Sequence, residues 1–400
     1  MKLYIDSTSM SLAHQMADLV RHASDPHCIK LITWLRLPLT EQQLKQHQAL
    51  YVPQMAAISP DFINLACKII RDHRITRLNI HSNQTHAWRG VFPLLRAIRQ
   101  LKIDEALDIT LDLYDDGTLS LMQREQLKCL PTLEQDVVKA AQALKIALSG
   151  GGSVQSDPTQ SHAWHLLYPT RYHVFRLSAL SDTVQGRHLR DWLAPHATEM
   201  QFSAFPVDLT DDQRSLYLTL FGLTEAIRES LHRFAQEETS FLYTGTGSWD
   251  RGMHDELCRR QVRAIGALHA QKRLSCDMQI AYKGHPANRA NDADILKALG
   301  GQAVPYPHQI PLEVLSIAGL LPRRVGGVLS SSSLNIKPER IAFILYNDRA
   351  EERYSDTSLA NLVKKLDLVP ADRMLPLMAK EVPDSKPLVV RETPQGAALS

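Results

Sequence analysis

The chain has 400 residues, 44% of them hydrophobic and 22% charged; Lys plus Arg (45) nearly balances Asp plus Glu (43), a formal charge of +2. That length exceeds what one hydrophobic core usually supports, so two domains are expected, and the composition excludes wholesale disorder or a fibre. Balanced charge gives no global reason to bind nucleic acid or an acidic membrane.

The chain opens MKLYIDSTSM, where Asp6 interrupts the apolar stretch after three residues. No signal-peptide core follows, and no apolar run approaches the roughly 18 residues of a membrane span. Five cysteines (Cys28, Cys67, Cys129, Cys258, Cys276) form no CxxC pair, which argues against a disulfide framework or structural zinc and for a reducing compartment. A soluble cytoplasmic protein is expected, with membrane contact, if any, peripheral.

No internal repeat stands out, so a solenoid or propeller is not expected. Leu78–His81 reads as a short strand leading into Ser82–His86, and Val91 to Leu101 carries helix-spaced apolar residues. Leu107, Ile109, Leu111 and Leu113 alternate with polar residues, the period of a strand, which runs into Tyr114-Asp115-Asp116-Gly117. Glu134–Leu148 reads as a helix with Val137, Val138, Ala141, Leu144 and Ile146 on its apolar face. Thr210 with Gln213 resembles a capping box opening a helical stretch from Asp211, broken at Gly222 and running to about Ala235. Gln236–Thr239 reads as a hinge.

Past that hinge the alternation resumes. Strands are expected at Phe241–Tyr243, Met278–Tyr282, Val325–Leu329 and Ile341–Leu345, with helices at about 255–271, 292–299 and 312–320. Strands alternating with helices on both sides of a hinge imply two parallel-sheet α/β domains, 1–236 and 237–378, followed by a loosely held Pro/Ser/Thr/Gly tail, 379–400.

In open α/β sheets ligands bind beyond the carboxyl ends of the strands. Four polar clusters fall there: Asp115-Asp116-Gly117, Gly245-Thr246-Gly247-Ser248-Trp249-Asp250, Lys283-Gly284-His285-Pro286 and Ser330–Ser333. Each has a plain alternative. Asp-Asp-Gly is a common turn, or a carboxylate serving as general base beside a sugar hydroxyl. Lys-Gly-His-Pro is strand-exit punctuation, or a lysine and histidine meeting a phosphate. The serines are a solvated turn, or a phosphate cradle at a helix start. Glu313 is a solvated helical residue, or an acceptor for ribose hydroxyls. Trp249 is core packing, or a plate for a sugar face. Their recurrence on successive strand ends points to a site between domains. There is no P-loop, HExxH helix or GxSxG elbow, and Gly245-Thr246-Gly247 lacks the third glycine of a dinucleotide fingerprint.

The segments LNIHSNQTHA, LYDDG, LTDDQRSLYLTLFGL, YTGTGSWD, YKGHP, IPLEVLSIAGLLPRRVGGVLSS and KPERI occur in that order. Together they resemble the bacterial CMP-sialic acid sialyltransferases of GT-B fold, which carry an acidic-acidic-glycine motif and an HP motif, over roughly residues 1–370. The resemblance implies two Rossmann-like domains facing each other across a cleft. It further implies inverting transfer of sialic acid from CMP-sialic acid to a galactose-type acceptor on an oligosaccharide or glycolipid, with α2,3 linkage placed ahead of the α2,6 linkage of members that share these motifs, and with no metal or other cofactor. Asp116 is then the base and His285 the acid. Gly245, Thr246, Lys283, Gly284, Pro286, Glu313, Ser330 and Ser331 hold the nucleotide; His86, Asp115 and Trp249 contact the acceptor. Pro311 stands where family members often have a serine near the nucleotide, and Ala287 and Asp250 also depart from the pattern. The alternatives are a transferase for another CMP-activated acid sugar and a nucleotide-binding protein that only hydrolyses the donor.

Overall fold

A computed structural model describes residues 1–53, 57–152, 154, 157–177, 180, 183–247, 250–285, 292–300, 302–347 and 357–377. The front sheet comprises β1 (Lys2–Asp6), β2 (Lys30–Trp34), β3 (Ala49–Tyr51), β4 (Arg77–Asn83), β5 (Asp108–Tyr114), β6 (Thr170–Val174) and β7 (Ala197–Glu199). The back sheet comprises β8 (Ser240–Thr244), β9 (Gln279–Lys283), β10 (Val304–Pro305), β11 (Arg324–Val328), β12 (Ile341–Tyr346) and β13 (Met374–Pro376).

The strand orders are β3-β2-β1-β4-β5-β6-β7 and β10-β9-β8-β11-β12-β13, and neighbouring strands pair in parallel. Each order reverses direction once, between β1 and β4 and between β8 and β11. A parallel sheet opens a crevice at such a reversal, outside the carboxyl ends of its strands. The front crevice is therefore bounded by Asp6 and Asn83, the back one by the residues after Thr244 and Val328.

Helices cover both faces of each sheet, so the central strands are buried on both sides and read as near-continuous apolar runs. All five residues of β2 and of β8 are buried. One face of the front sheet packs on helices Pro60–Asp72, Val91–Gln100 and Leu133–Leu148. The other face is covered by helix Met10–Arg21, whose apolar side joins a core running on into helices Asp211–Leu220 and Leu312–Ile317. The outer face of the back sheet packs on Arg251–Ala270 and Asp292–Leu299. The lobes thus share apolar packing beneath the cleft.

The strands expected from the sequence are found within one or two residues, and Thr210 and Gln213 form the reciprocal capping box. Other details differ. The long back-lobe helix begins at Arg251, because the Asp250 side chain caps it by accepting from the Met253 N–H. The helix expected to reach 320 ends at Ile317. Val138 and Ile146 are 45% and 61% exposed, and the inward face of their helix is Val137, Ala140, Ala141, Leu144, Ala147 and Leu148. Residues 379–400 lie outside the described residues. Among the described residues no helix is long and apolar enough to cross a membrane.

Candidate active site in the interlobe cleft

The turn after β5 divides the work of its two aspartates. Gly117 adopts φ +67°, a left-handed conformation that suits glycine, and swings the chain into helix Thr118–Lys128. Asp115 is fully buried: Arg124 Nη1 donates to its Oδ2 at 2.5 Å and the Phe175 N–H at 2.6 Å. The structure thus places Asp115 in the lobe interior, tying β5 to β6, rather than against an acceptor. Asp116 faces the cleft, its backbone N–H held by Ser120 Oγ at 2.8 Å.

Around Asp116 lies a strip of short polar side chains from the ends of β1 and β4. Thr85 Oγ1 lies 3.4 Å from Asp116 Oδ2 and 2.8 Å from Asn83 Oδ1; Asn83 Nδ2 donates to Thr8 Oγ1 at 2.9 Å. Thr8 donates to Asp6 through its backbone N–H at 2.7 Å and its hydroxyl at 3.0 Å. Gln15 Nε2, at 2.5 Å, and Ser11 Oγ also donate to Asp6. Burial, then the nearby Asp6 carboxylate, push Asp116 up to about 7, against hydrogen bonds from Asn83, Thr8 and Thr85 that favour its charged form. Burial pushes Asp6 itself up to about 6. His86, half-buried, shares a 2.8 Å hydrogen bond with Ser7 Oγ on the same rim.

The opposing wall comes from β8, β9 and β11. Gln261 holds Thr246 from both sides: its Oε1 accepts from the Thr246 N–H at 3.2 Å, and its Nε2 donates to the Thr246 carbonyl at 3.3 Å. A Cβ on Gly245 would fall 2.7 Å from the Tyr282 hydroxyl. One on Gly247 would fall 3.2 Å from His285 Cβ. Glycine thus lets this loop lie flat against its neighbours. A Cβ on Gly284 would sit 3.0 Å from both Asp292 oxygens.

Lys283 Nζ donates to the carbonyls of Pro307 and His308 at 3.2 and 3.0 Å, and burial lowers it to about 8. Glu313 is 1% exposed; its Oε1 accepts from Ser332 Oγ (2.8 Å) and Asn335 Nδ2 (3.3 Å), while Oε2 has no hydrogen-bond partner among the described residues. Burial raises its pKa. Ser330 and Ser333 share a 3.1 Å hydroxyl contact at the start of a short 3₁₀ turn, Ser331–Asn335. His285 is half-buried. Burial first, then the charges of Arg36, Lys283 and His254, lower it to about 4, so the free protein holds it neutral at pH 7. Trp249 and Pro286 lie outside the described residues.

The two walls meet. A Cβ on Gly117 would fall 2.3 Å from Ser331 Cβ, so the turn carrying Asp116 touches the serine turn of the back lobe. Arg176 Nη2 donates across to the Leu334 carbonyl at 3.2 Å, and Lys365 Nζ lies 3.5 Å from Glu125 Oε2. Arg36 Nε donates to the Ser7 carbonyl at 3.3 Å, and its charge acts on both Asp116 and His285. Sequence reading did not single out Arg36, Asp6, Thr8 or Asn83. Arg36 obeys the strand-end rule that found the other clusters, since it follows β2, but β2 itself was not recognised.

The cleft therefore offers a carboxylate titrating near neutrality on one side and lysine, imidazole, hydroxyls and a buried glutamate on the other. That set suits removal of a hydroxyl proton opposite an anionic leaving group. The structure superposes on the 2,6-sialyltransferase of Photobacterium sp. JT-ISH-224, determined with CMP and lactose, with TM-score 0.83 at 21% identity, covering 94% of this chain and 78% of that one. An α-2,3-sialyltransferase from Photobacterium phosphoreum gives 0.78 at 20%, covering 94% and 98%. The GT-B domain of a Photobacterium damselae sialyltransferase gives 0.81 at 23%, covering 94% and 99%. These likenesses show the GT-B fold. No sequence among the curated proteins matches the chain. The model of the family described as Sialyltransferase PMO188 matches residues 1–370, and the chain belongs to that family of glycosyltransferases.

Proposed function

We propose that the chain moves sialic acid from CMP-sialic acid to a galactose-type acceptor, in α2,3 linkage and with inversion. Asp116 takes the proton of the acceptor hydroxyl as its oxygen bonds to the anomeric carbon. The bond from that carbon to the CMP phosphate breaks, and CMP departs with its electron pair. As the bond stretches, positive charge develops on the sugar ring and negative charge on the phosphate.

Donors aimed at that phosphate lower the barrier; loss of one comparable donor costs about 2.7–4 kcal/mol in catalysis. His285 is held neutral by Arg36 and Lys283 as well as by burial. The arriving phosphodiester brings one negative charge and the departing CMP develops a second, which together offset those cations, raise the imidazole's proton affinity and make it a donor when one is needed. Lys283, Ser330 and Ser331 complete the phosphate and cytidine wall, with Gly245, Thr246, Gly284 and Pro286 lining it. Glu313, with Oε2 unpartnered among the described residues, accepts from the ribose hydroxyls. Arg36 faces both reacting sides and meets the donor's carboxylate; His86 and Trp249 shape the acceptor pocket. Asp115 serves the reaction only by fixing the turn that presents Asp116. One phosphate needs modest neutralisation, which these side chains supply without a metal.

The observation that carries this reading is the contact between Gly117 and Ser331, which supports base and phosphate site facing one another across a single bond. Product analysis tests it: the protein is incubated with CMP-sialic acid and a panel of galactosides, and the linkage is assigned by NMR. Lactose is expected to accelerate CMP release strongly and yield an α2,3-sialylated product. CMP release indifferent to every galactoside identifies a donor hydrolase. Turnover only with a different CMP-linked acid sugar identifies the other alternative.

A further inference from the structure

We propose that Asp6 is a second carboxylate of the transfer site, a positioning residue that acts on Asp116 across the strip formed by Thr8, Asn83 and Thr85. The inference rests on the reading of Asp116 as the base.

Asp6 ends β1 at the point where the front sheet reverses its strand order, and it is 2% exposed. A plain structural account exists: its carboxylate accepts from the Thr8 N–H and from Ser11 and Gln15, and so shapes the entry to helix Met10–Arg21. That duty calls only for a polar acceptor, and asparagine commonly performs it in such turns. The donors Thr8, Ser11 and Gln15 are neutral and solvate the carboxylate.

The charge has a recipient. Thr8 links Asp6 at 3.0 Å to Asn83 at 2.9 Å, Asn83 meets Thr85 at 2.8 Å, and Thr85 reaches Asp116 at 3.4 Å. Two carboxylates sharing one buried polar strip resist simultaneous ionisation, so Asp116, whose charged form receives fewer hydrogen bonds than that of Asp6, keeps the greater affinity for a proton. For a general base this is useful, because a carboxylate of ordinary pKa removes an alcohol proton with little driving force. The other groups that face Asp116 are the Arg36 guanidinium from the loop after β2 and Ser120 on its own helix; His86 sits on the same rim against Ser7. Arg36 opposes Asp6, so the balance between them sets the base.

The test is the pH dependence of kcat/KM between about pH 5 and 9 for the full chain with CMP-sialic acid and lactose, which reports ionisations of the free enzyme. Asp6→Asn keeps the turn and removes the charge; its acid limb is expected to move down by about one pH unit. Thr85→Val withdraws the hydroxyl that lies 3.4 Å from Asp116 Oδ2 and favours its ionised form, and its limb is expected to move up. A structural role alone lowers thermal stability and leaves both limbs where they are. Limbs that stay fixed, or that move in the same direction in both variants, overturn the proposal. Should Asp6→Asn fail to fold, Asp6→Ser, which also keeps a turn acceptor without the charge, takes its place, and the same downward shift is expected. Asp116→Asn in the same series separates the two readings: if it retains turnover, the base assignment fails; if it is inactive while the limbs stay fixed, only the role of Asp6 fails.

Discussion

Adjacent aspartates in the turn after β5 do opposite things, and burial explains which does which. Asp115 is 0% exposed and locked to Arg124, itself 1% exposed. Removing one partner of such a pair leaves an uncompensated charge in the interior, which costs roughly 3–5 kcal/mol. Arg124→Met is therefore expected to lower stability by about that amount in urea unfolding, while Lys139→Met, on the exposed pair with Asp136, leaves the unfolding midpoint nearly unchanged. Equal effects of the two would contradict the assignment of Asp115 to the scaffold. At this scale the sequence showed which residue types stand at strand ends, and LYDDG, YKGH and the serine run all follow strands that border the cleft. It did not show that Asp115 points inward, because the partner Arg124 lies nine residues on, across a helix whose rotation no pattern in LYDDG specifies. Nor did it raise Asp6 above a break in an apolar run, because its relation to Asp116 exists only once β1 and β5 flank β4.

Elements were legible where periodicity was strong. The alternation of β5 and the apolar runs of β8, β11 and β12 stood out, and the Thr210–Gln213 box marked its helix. Strands β1, β2, β3, β6, β7, β10 and β13 were not recognised, all being five residues or fewer, with Lys, Arg, Asp or His interrupting β1, β2 and β6. Such strands pass for loops until a sheet supplies their hydrogen bonds; Lys30 is buried in β2 because its Nζ donates to the His47 carbonyl at 2.9 Å. The glycine pair of β11 is a further element-scale constraint. Gly327 has φ +146°, and a Cβ there would lie 2.0 Å from the Thr244 carbonyl oxygen. Gly327→Ala must therefore force β8 away from β11 at the cleft floor, with backbone strain alone of about 1–3 kcal/mol. A clear drop in the unfolding midpoint, together with weaker CMP binding, is expected. An unchanged midpoint would mean the two strands are not packed this closely.

The whole molecule carries a pH signature separate from catalysis. Burial is the leading cause that lowers His14 to about 3 and His81, His162, His165 and His285 to about 4. Each is depressed below its unfolded value near 6.5, so the unfolded chain binds more protons there, and the stability these groups allow above pH 6.5 is lost as pH falls towards 4. Asp6 and Asp116, raised to about 6 and about 7, work the other way. Their folded forms take up protons first, which relieves some of the loss. With five histidines against two aspartates, stability is expected to decline between pH 6.5 and 4 in urea titrations. A stability that rises over that interval would show that these histidines are not held neutral in the interior.

Closure is the remaining property of the whole: two sheets, each reversing its strand order once, aim their crevices at one another, with Gly117 against Ser331 at the seam. The account stands or falls on the duty given to the front lobe at that seam. The direct measurement is sialic acid transfer to lactose by Asp116→Ala, with CMP affinity determined calorimetrically on the same sample. The account predicts turnover reduced by about 10²–10⁴-fold with CMP affinity preserved. Turnover near that of the unaltered protein would contradict it.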